Sequence, residues 1–256
     1  MPYFWRPPSP PRSGSPPPRT PPHPGYVALG DSYISGTGTR EYYADSGSCQ
    51  RSPHAYPVRV ASALGATLTF AACSGATVSG VLNGQLGGLS AATSYVSLSV
   101  GGNDISWASV ITQCAKPWPY TCWAEIDSAE NKIRTVLPGR LDGLYDRIRA
   151  LAPSARVVVV GYPRLFNGEE CNLIARISPG EQAELNAAAN LLATTIAGRA
   201  GAHGFAFVDA RGPFTGHAVC DDVEWINGTS NPISESYHPN RSGHAGYAAL
   251  VQTALR

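Results

Sequence analysis

The sequence predicts an α/β fold built on a mostly parallel five-stranded sheet. Five short apolar runs recur along the 256 residues, stretches of helical periodicity separate most of them, and one run, Val157 to Val160, is four consecutive valines. Alternating β and α units favour parallel strands. Unbroken β-branched runs suit strands covered on both faces.

Each element has its own reason. Met1 to Pro24 is rich in Pro, Arg and Ser and reads as a disordered leader, so a single ordered domain is expected over residues 25–256. Tyr26 to Gly30 is the first strand, with Asp31-Ser32 at its end. Ser52-Pro53 supplies an N-cap and a first-turn proline for a helix reaching Leu64 and stopped by Gly65. Leu68 to Ala72 and Tyr95 to Val100 are the next strands, the latter closed by Gly101-Gly102. A long helix is expected from near Asp127, where Asp127 and Glu130 are spaced as a capping pair, through Ala150, with Pro138-Gly139 kinking or splitting it. The valine strand follows. Ser178-Pro179-x-Glu181 then opens a helix whose apolar face is Leu185, Ala188, Ala189, Leu192 and Ile196. Phe205 to Val208 is the fifth strand, and a last helix runs from Ser242 through Leu255. The stretches from Trp107 to Trp123 and from Arg211 to Asn240 are long loops, so each should carry a function or a disulfide.

Composition narrows the field. Hydrophobic residues make up 43% and charged residues 14%, ample for a core but sparse in surface charge. The net charge is +1, and three of the basic residues, Arg6, Arg12 and Arg19, sit in the acid-free leader. No basic cluster suits a phosphate backbone, which argues against nucleic-acid binding. No apolar stretch is long enough to span a bilayer. The six cysteines are dispersed without a C-x-x-C pair, which fits three disulfides made in an oxidising compartment better than a metal cluster or reduced core thiols. No native signal peptide is visible in the leader.

Ligand sites of parallel α/β sheets lie beyond the carboxyl ends of the strands. Three polar positions occupy such ends: Asp31-Ser32, Ser74-Gly75 and Asn103-Asp104. Acyl transfer needs a nucleophile, a base and donors for an oxyanion. Ser32 Oγ suits the first. The Ser32 and Gly75 N–H groups and the Asn103 amide suit the donors, although Gly75 can equally serve a turn and Asn103 a helix cap. His238 suits the base, because Pro239 stiffens the chain behind it. His244, inside or at the start of the last helix, reads as structural. Trp107, Trp118, Tyr120 and Trp123 have two readings: an acyl groove or lipid-contact surface, or the packing of a disulfide loop.

Gly30-Asp31-Ser32, Gly75 in Ala72-Cys73-Ser74-Gly75-Ala76-Thr77, Gly101-Gly102-Asn103-Asp104 and His238-Pro239-Asn240 together resemble the SGNH, or GDSL, hydrolase family, in its secreted actinobacterial lipase and phospholipase A1-like branch. The blocks occur in family order over most of the ordered chain. The resemblance implies a flavodoxin-like three-layer α/β/α fold, with Ser32 as nucleophile, His238 as base, and Ser32, Gly75 and Asn103 as the oxyanion hole. It implies the disulfides Cys49–Cys73, Cys114–Cys122 and Cys171–Cys220, and no metal or organic cofactor. One departure is Glu235, standing where the wider family has Asp, so the histidine orienter is either Glu235 or a backbone carbonyl of Glu235 or Ser236.

The expected activity is hydrolysis of lipid esters by a secreted monomer, with transient contact to a lipid surface. Carbohydrate acetylesterase or short-chain esterase activity is the nearest alternative. A catalytically silent carbohydrate- or lipid-binding module is the alternative of another class. A structural glycoprotein, suggested by the sequons at Asn227 and Asn240, is a remote third.

Overall fold

The structure, a computed structural model, describes residues 1–3, 23–171 and 176–256. Most of the expected disordered leader lies outside the described residues. A parallel sheet has the order β2-β1-β3-β4-β5, from β1 (Gly25–Gly30), β2 (Thr67–Phe70), β3 (Thr93–Ser99), β4 (Arg156–Val160) and β5 (Ala206–Val208). Tyr26 pairs with Tyr95 and Leu29 with Leu98, while Val96 pairs with Val157. The central strands are apolar on both faces because both are covered, and Leu29, Leu98 and Val158 are fully buried.

The helices are α1 (Ser32–Ser35), α2 (Tyr56–Leu64), α3 (Val78–Gly84), α4 (Trp107–Cys114), α5 (Trp123–Thr135), α6 (Leu137–Leu151), α7 (Pro179–Ala202) and α8 (Arg241–Leu255). α2 packs on α8, while α3, α5, α6 and α7 pack among themselves. The chain steps from β1 outward to β2, then back across to β3, β4 and β5. Right-handed crossovers in opposite directions put the two helix groups on opposite faces. The reversal creates a crevice between the carboxyl ends of β1 and β3, where such folds hold ligands.

Several boundaries differ from expectation. α2 begins at Tyr56, with Pro57 in its first turn. The Ser52 hydroxyl instead accepts the His54 N–H at 3.0 Å in a turn ahead of the helix. The long helix is two: α5 starts at Trp123, directly after Cys122, and the break at Val136 precedes Pro138. Asp127 and Glu130 therefore lie inside α5 and cap nothing. The expected loop from Trp107 is half helix, because α4 occupies Trp107–Cys114. Ser178 makes the expected capping box with Glu181 at the start of α7.

Three disulfides join Cys49 to Cys73, Cys114 to Cys122 and Cys171 to Cys220. The first ties the turn after β2 to the segment after α1. The second closes the turn between α4 and α5, and the third tethers the long segment after β5.

Candidate active site

The site begins where β1 ends. Gly30 must be glycine: a Cβ there would stand 2.1 Å from the Ser99 carbonyl oxygen of β3. Its peptide is gripped by Gln85, which accepts the Gly30 N–H at 2.7 Å and donates to its carbonyl at 2.9 Å. The next residue, Asp31, caps α1 by accepting the Tyr33 N–H at 3.0 Å. Ser32 is thereby held at the first position of a one-turn helix, and its N–H has no acceptor among the described residues.

His238 arrives from the far end of the chain. Its Nε2 lies 2.8 Å from Ser32 Oγ and its Nδ1 lies 2.9 Å from the Ser236 carbonyl oxygen. A carbonyl can only accept, so Nδ1 carries the proton and Nε2 is left to accept from the serine hydroxyl. Burial lowers the His238 pKa to about 4, and the bond to Ser236 offsets part of that fall. The imidazole is neutral at ordinary pH and free to take a proton.

Of the two orienters left open by the sequence, the backbone carbonyl of Ser236 makes the contact. The Glu235 carboxylate is engaged elsewhere: it accepts from Tyr42 Oη at 2.6 Å and pairs with Arg40 Nε at 2.8 Å, and its side chain is almost fully buried. These contacts, with Asn227 Nδ2 donating to the Gly38 carbonyl at 2.9 Å, join the histidine loop to the segment after α1. Tyr33 Oη adds a bond of 2.7 Å to the Tyr237 carbonyl.

Asn103 lines the same cleft as Ser32 and His238. Its Nδ2 donates one hydrogen to the Ala76 carbonyl at 2.9 Å, which fixes the amide and leaves a second N–H. It does not cap the next helix, whose cap position is Ser106. Gly75 lies on the adjoining turn, outside the cleft lining, with no acceptor for its N–H among the described residues. Its φ of +80° is what demands glycine, since a Cβ there would meet open space. The neighbouring Asp104 braces this turn: Oδ2 accepts the Val78 N–H at 2.9 Å and Oδ1 binds Arg140 at 2.8 Å.

Tyr162, just beyond β4, escaped the sequence reading although strand ends were its guide. Its hydroxyl donates to Asp31 and accepts the Gly102 N–H at 3.3 Å, joining the ends of β1, β3 and β4. Burial, against the lowering bond from Tyr162, raises the Asp31 pKa to about 7. Arg40, Tyr42 and Gln85 were also missed, for they carry no local signature. His244 is structural as expected, buried in α8 with Nδ1 accepting the Tyr56 N–H at 3.3 Å.

The cleft, about 410 Å³, runs away from Ser32 between Trp107, Ile111, Leu165 and Leu192. Its wall is mainly apolar. Among the described residues no cluster of His, Cys, Asp and Glu is arranged to hold a metal ion. Of the four aromatics, Trp107 lines the cleft and Trp118 stands in solvent, while Tyr120 and Trp123 are partly exposed, with the Lys116 ammonium of the same loop 5.7 Å above the Tyr120 ring.

Comparison with known proteins identifies the family. The chain is 45% identical over 225 residues to Lipase 1 of Streptomyces coelicolor, covering 87% of this chain and 83% of that one. It superposes on the crystal structure of an extracellular lipase from Streptomyces rimosus with a TM-score of 0.86 at 40% identity, covering 90% of this chain and 99% of that one. For phospholipase A1 from Streptomyces albidoflavus the TM-score is 0.87 at 43% identity, with 91% and 100% covered. The GDSL-like Lipase/Acylhydrolase family matches residues 28–245, and the chain belongs to that family.

Proposed function

We propose that this protein is a secreted serine carboxyl-ester hydrolase that cleaves lipid esters, in the manner of a lipase or phospholipase A1, through an acyl-enzyme. The observation that carries the reading is the hydrogen bond of 2.8 Å between Ser32 Oγ and the neutral His238, both lining an apolar cleft. The Streptomyces lipases and the phospholipase A1 that the chain resembles support the substrate class, and the extracellular lipase among them, together with three disulfides, supports secretion. Residues 25–256 are read as the single hydrolase domain, acting as a monomer.

In the first half-reaction His238 Nε2 takes the Ser32 proton as Oγ attacks the ester carbonyl. The N–H groups of Ser32 and Gly75 and the second N–H of Asn103 meet the charge on the carbonyl oxygen. The imidazolium, held by the Ser236 carbonyl, then protonates the leaving alcohol. Water repeats the sequence on the acyl-Ser32 ester and releases the acid. With a carbonyl as orienter, the tautomer is fixed without a full negative charge beside the imidazolium. The apolar wall takes the acyl chain.

The test compares wild type with Ser32→Ala on p-nitrophenyl butyrate and on a mixed-chain phosphatidylcholine. Turnover by wild type and its loss, by on the order of 10³-fold or more, in a folded Ser32→Ala variant is the expected result. Turnover that survives the substitution would end the nucleophile assignment. Cleavage of the soluble ester alone would move the reading to a short-chain esterase.

A further inference from the structure

The cleft has a rim of unusual exposure. α4 contributes Trp107, Ile111 and Thr112 to its wall and Ala115, the C-cap of that helix, adds a fourth residue, beyond which the chain continues in the turn closed by Cys114–Cys122. Every residue from Lys116 to Thr121 is exposed. Trp118 is 90% exposed and Tyr120 60% exposed. Ile233, from the segment that carries His238, lines the cleft and is itself 72% exposed. Trp118 and Tyr120 follow Ala115 of the cleft wall by three and five residues, and exposed large apolar side chains beside a binding cleft mark an interaction surface more than a random surface does.

The turn is built to hold its aromatics outward. The bridge spans a separation of only eight residues, and Pro117 and Pro119 flank Trp118 with fixed φ angles. Little conformational entropy is left to lose when Trp118 enters a less polar medium. The indole and phenol rings of Trp118 and Tyr120 suit a boundary that is apolar on one side and wet on the other. From Trp107 to Cys122 there is no acidic residue and one cation, Lys116, so nothing in this turn repels a phosphate-bearing surface.

We propose that the turn from Lys116 to Thr121, with Ile233, is an anchor that seats the cleft mouth on the surface of aggregated lipid. The inference rests on the lipid-ester reading. It is favoured over a protein partner because the rim is continuous with the acyl wall: Ala115 belongs to the cleft and leads directly into the anchor, while Ile233 belongs to both. Docking there lets an acyl chain pass from the lipid layer into the cleft without crossing water, which removes the cost of exposing it. With a single cation, binding should depend weakly on salt.

The experiment uses the full chain and vesicles of ether-linked phosphatidylcholine, which offer no carboxyl ester to cleave. Vesicle partition of wild type, W118A/Y120A and the two single variants is read by co-sedimentation, beside turnover of p-nitrophenyl butyrate and of ester phosphatidylcholine vesicles. The double variant should lose about tenfold or more in partition, since two large aromatic surfaces no longer leave water. Its turnover of the soluble ester should be unchanged, and its turnover of ester vesicles should fall with partition. If the double variant folds poorly, W118A and Y120A alone should each show part of the loss. Equal partition of wild type and the folded variants overturns the anchor, as does a wild type that cleaves soluble ester yet never binds vesicles. A wild type that binds vesicles through Trp118 and Tyr120 but cleaves no ester would instead overturn the hydrolase reading and keep the anchor.

Discussion

Burial sets the working pH of the imidazole. Because desolvation lowers the His238 pKa to about 4, the proposed base is neutral in the free protein from about pH 5 upward. The expected kcat/KM for a neutral ester has an acid limb with its midpoint near 4 and a plateau through pH 7, and a midpoint near 6.5 would mean a solvated imidazole. The donor set makes a second demand at this scale. Asn103→Ala should lower kcat by about 10²–10³ with little change in KM, because the oxyanion exists only in the transition state. Glu235 acts at one remove from the chemistry. Its carboxylate is buried against Tyr42 and Arg40, so Glu235→Ala strands those partners and loosens the loop that presents the Ser236 carbonyl. A loss on the order of 1–3 kcal/mol in stability is expected by urea denaturation, discounted because Arg40 itself is half exposed. A fall in kcat should accompany it.

Among the elements, the disulfides differ in what they restrain. Cys171–Cys220 closes a separation of 49 residues and Cys114–Cys122 one of 8. On chain-entropy grounds, replacing the first pair by alanines should cost about 4 kcal/mol and the second about 2.5 kcal/mol, both readable from denaturant midpoints. α8 carries a different liability. Burial, with the Arg59 charge adding to it, lowers the His244 pKa to about 3. The unfolded chain protonates this side chain near pH 6.5 and the folded chain does not, so stability is lost progressively as pH falls from 6.5 toward 3. His238 acts in the same sense down to about 4, while Asp31, raised to about 7, acts against it. The urea midpoint should therefore shrink less between pH 7 and pH 4 in His244→Gln, which keeps an acceptor for the Tyr56 N–H, than in wild type.

For the molecule as a whole, the β-α alternation was legible because buried parallel strands write themselves as apolar runs such as Tyr26–Gly30 and Val157–Val160. The site was legible where its parts stand at strand ends, as Ser32 and Asn103 do, and where a proline fixes a loop, as beside His238. What stayed hidden depends on contacts across the chain. Glu235 meets Tyr42 across 193 positions, and Tyr162 meets Asp31 across 131, so neither pairing leaves a local pattern. α4 was masked because the aromatic residues, prolines and cysteines around it read as an irregular loop, and Ser52 misled because its hydroxyl serves a turn. The separation of 206 positions between Ser32 and His238 has a further consequence. A ribosome delivers the serine 206 residues before the histidine, so a nascent chain stalled anywhere between them has no proton acceptor at Oγ. An interrupted chain of this kind carries the serine hydroxyl without its imidazole partner, so that pairing waits on the synthesis of everything between them.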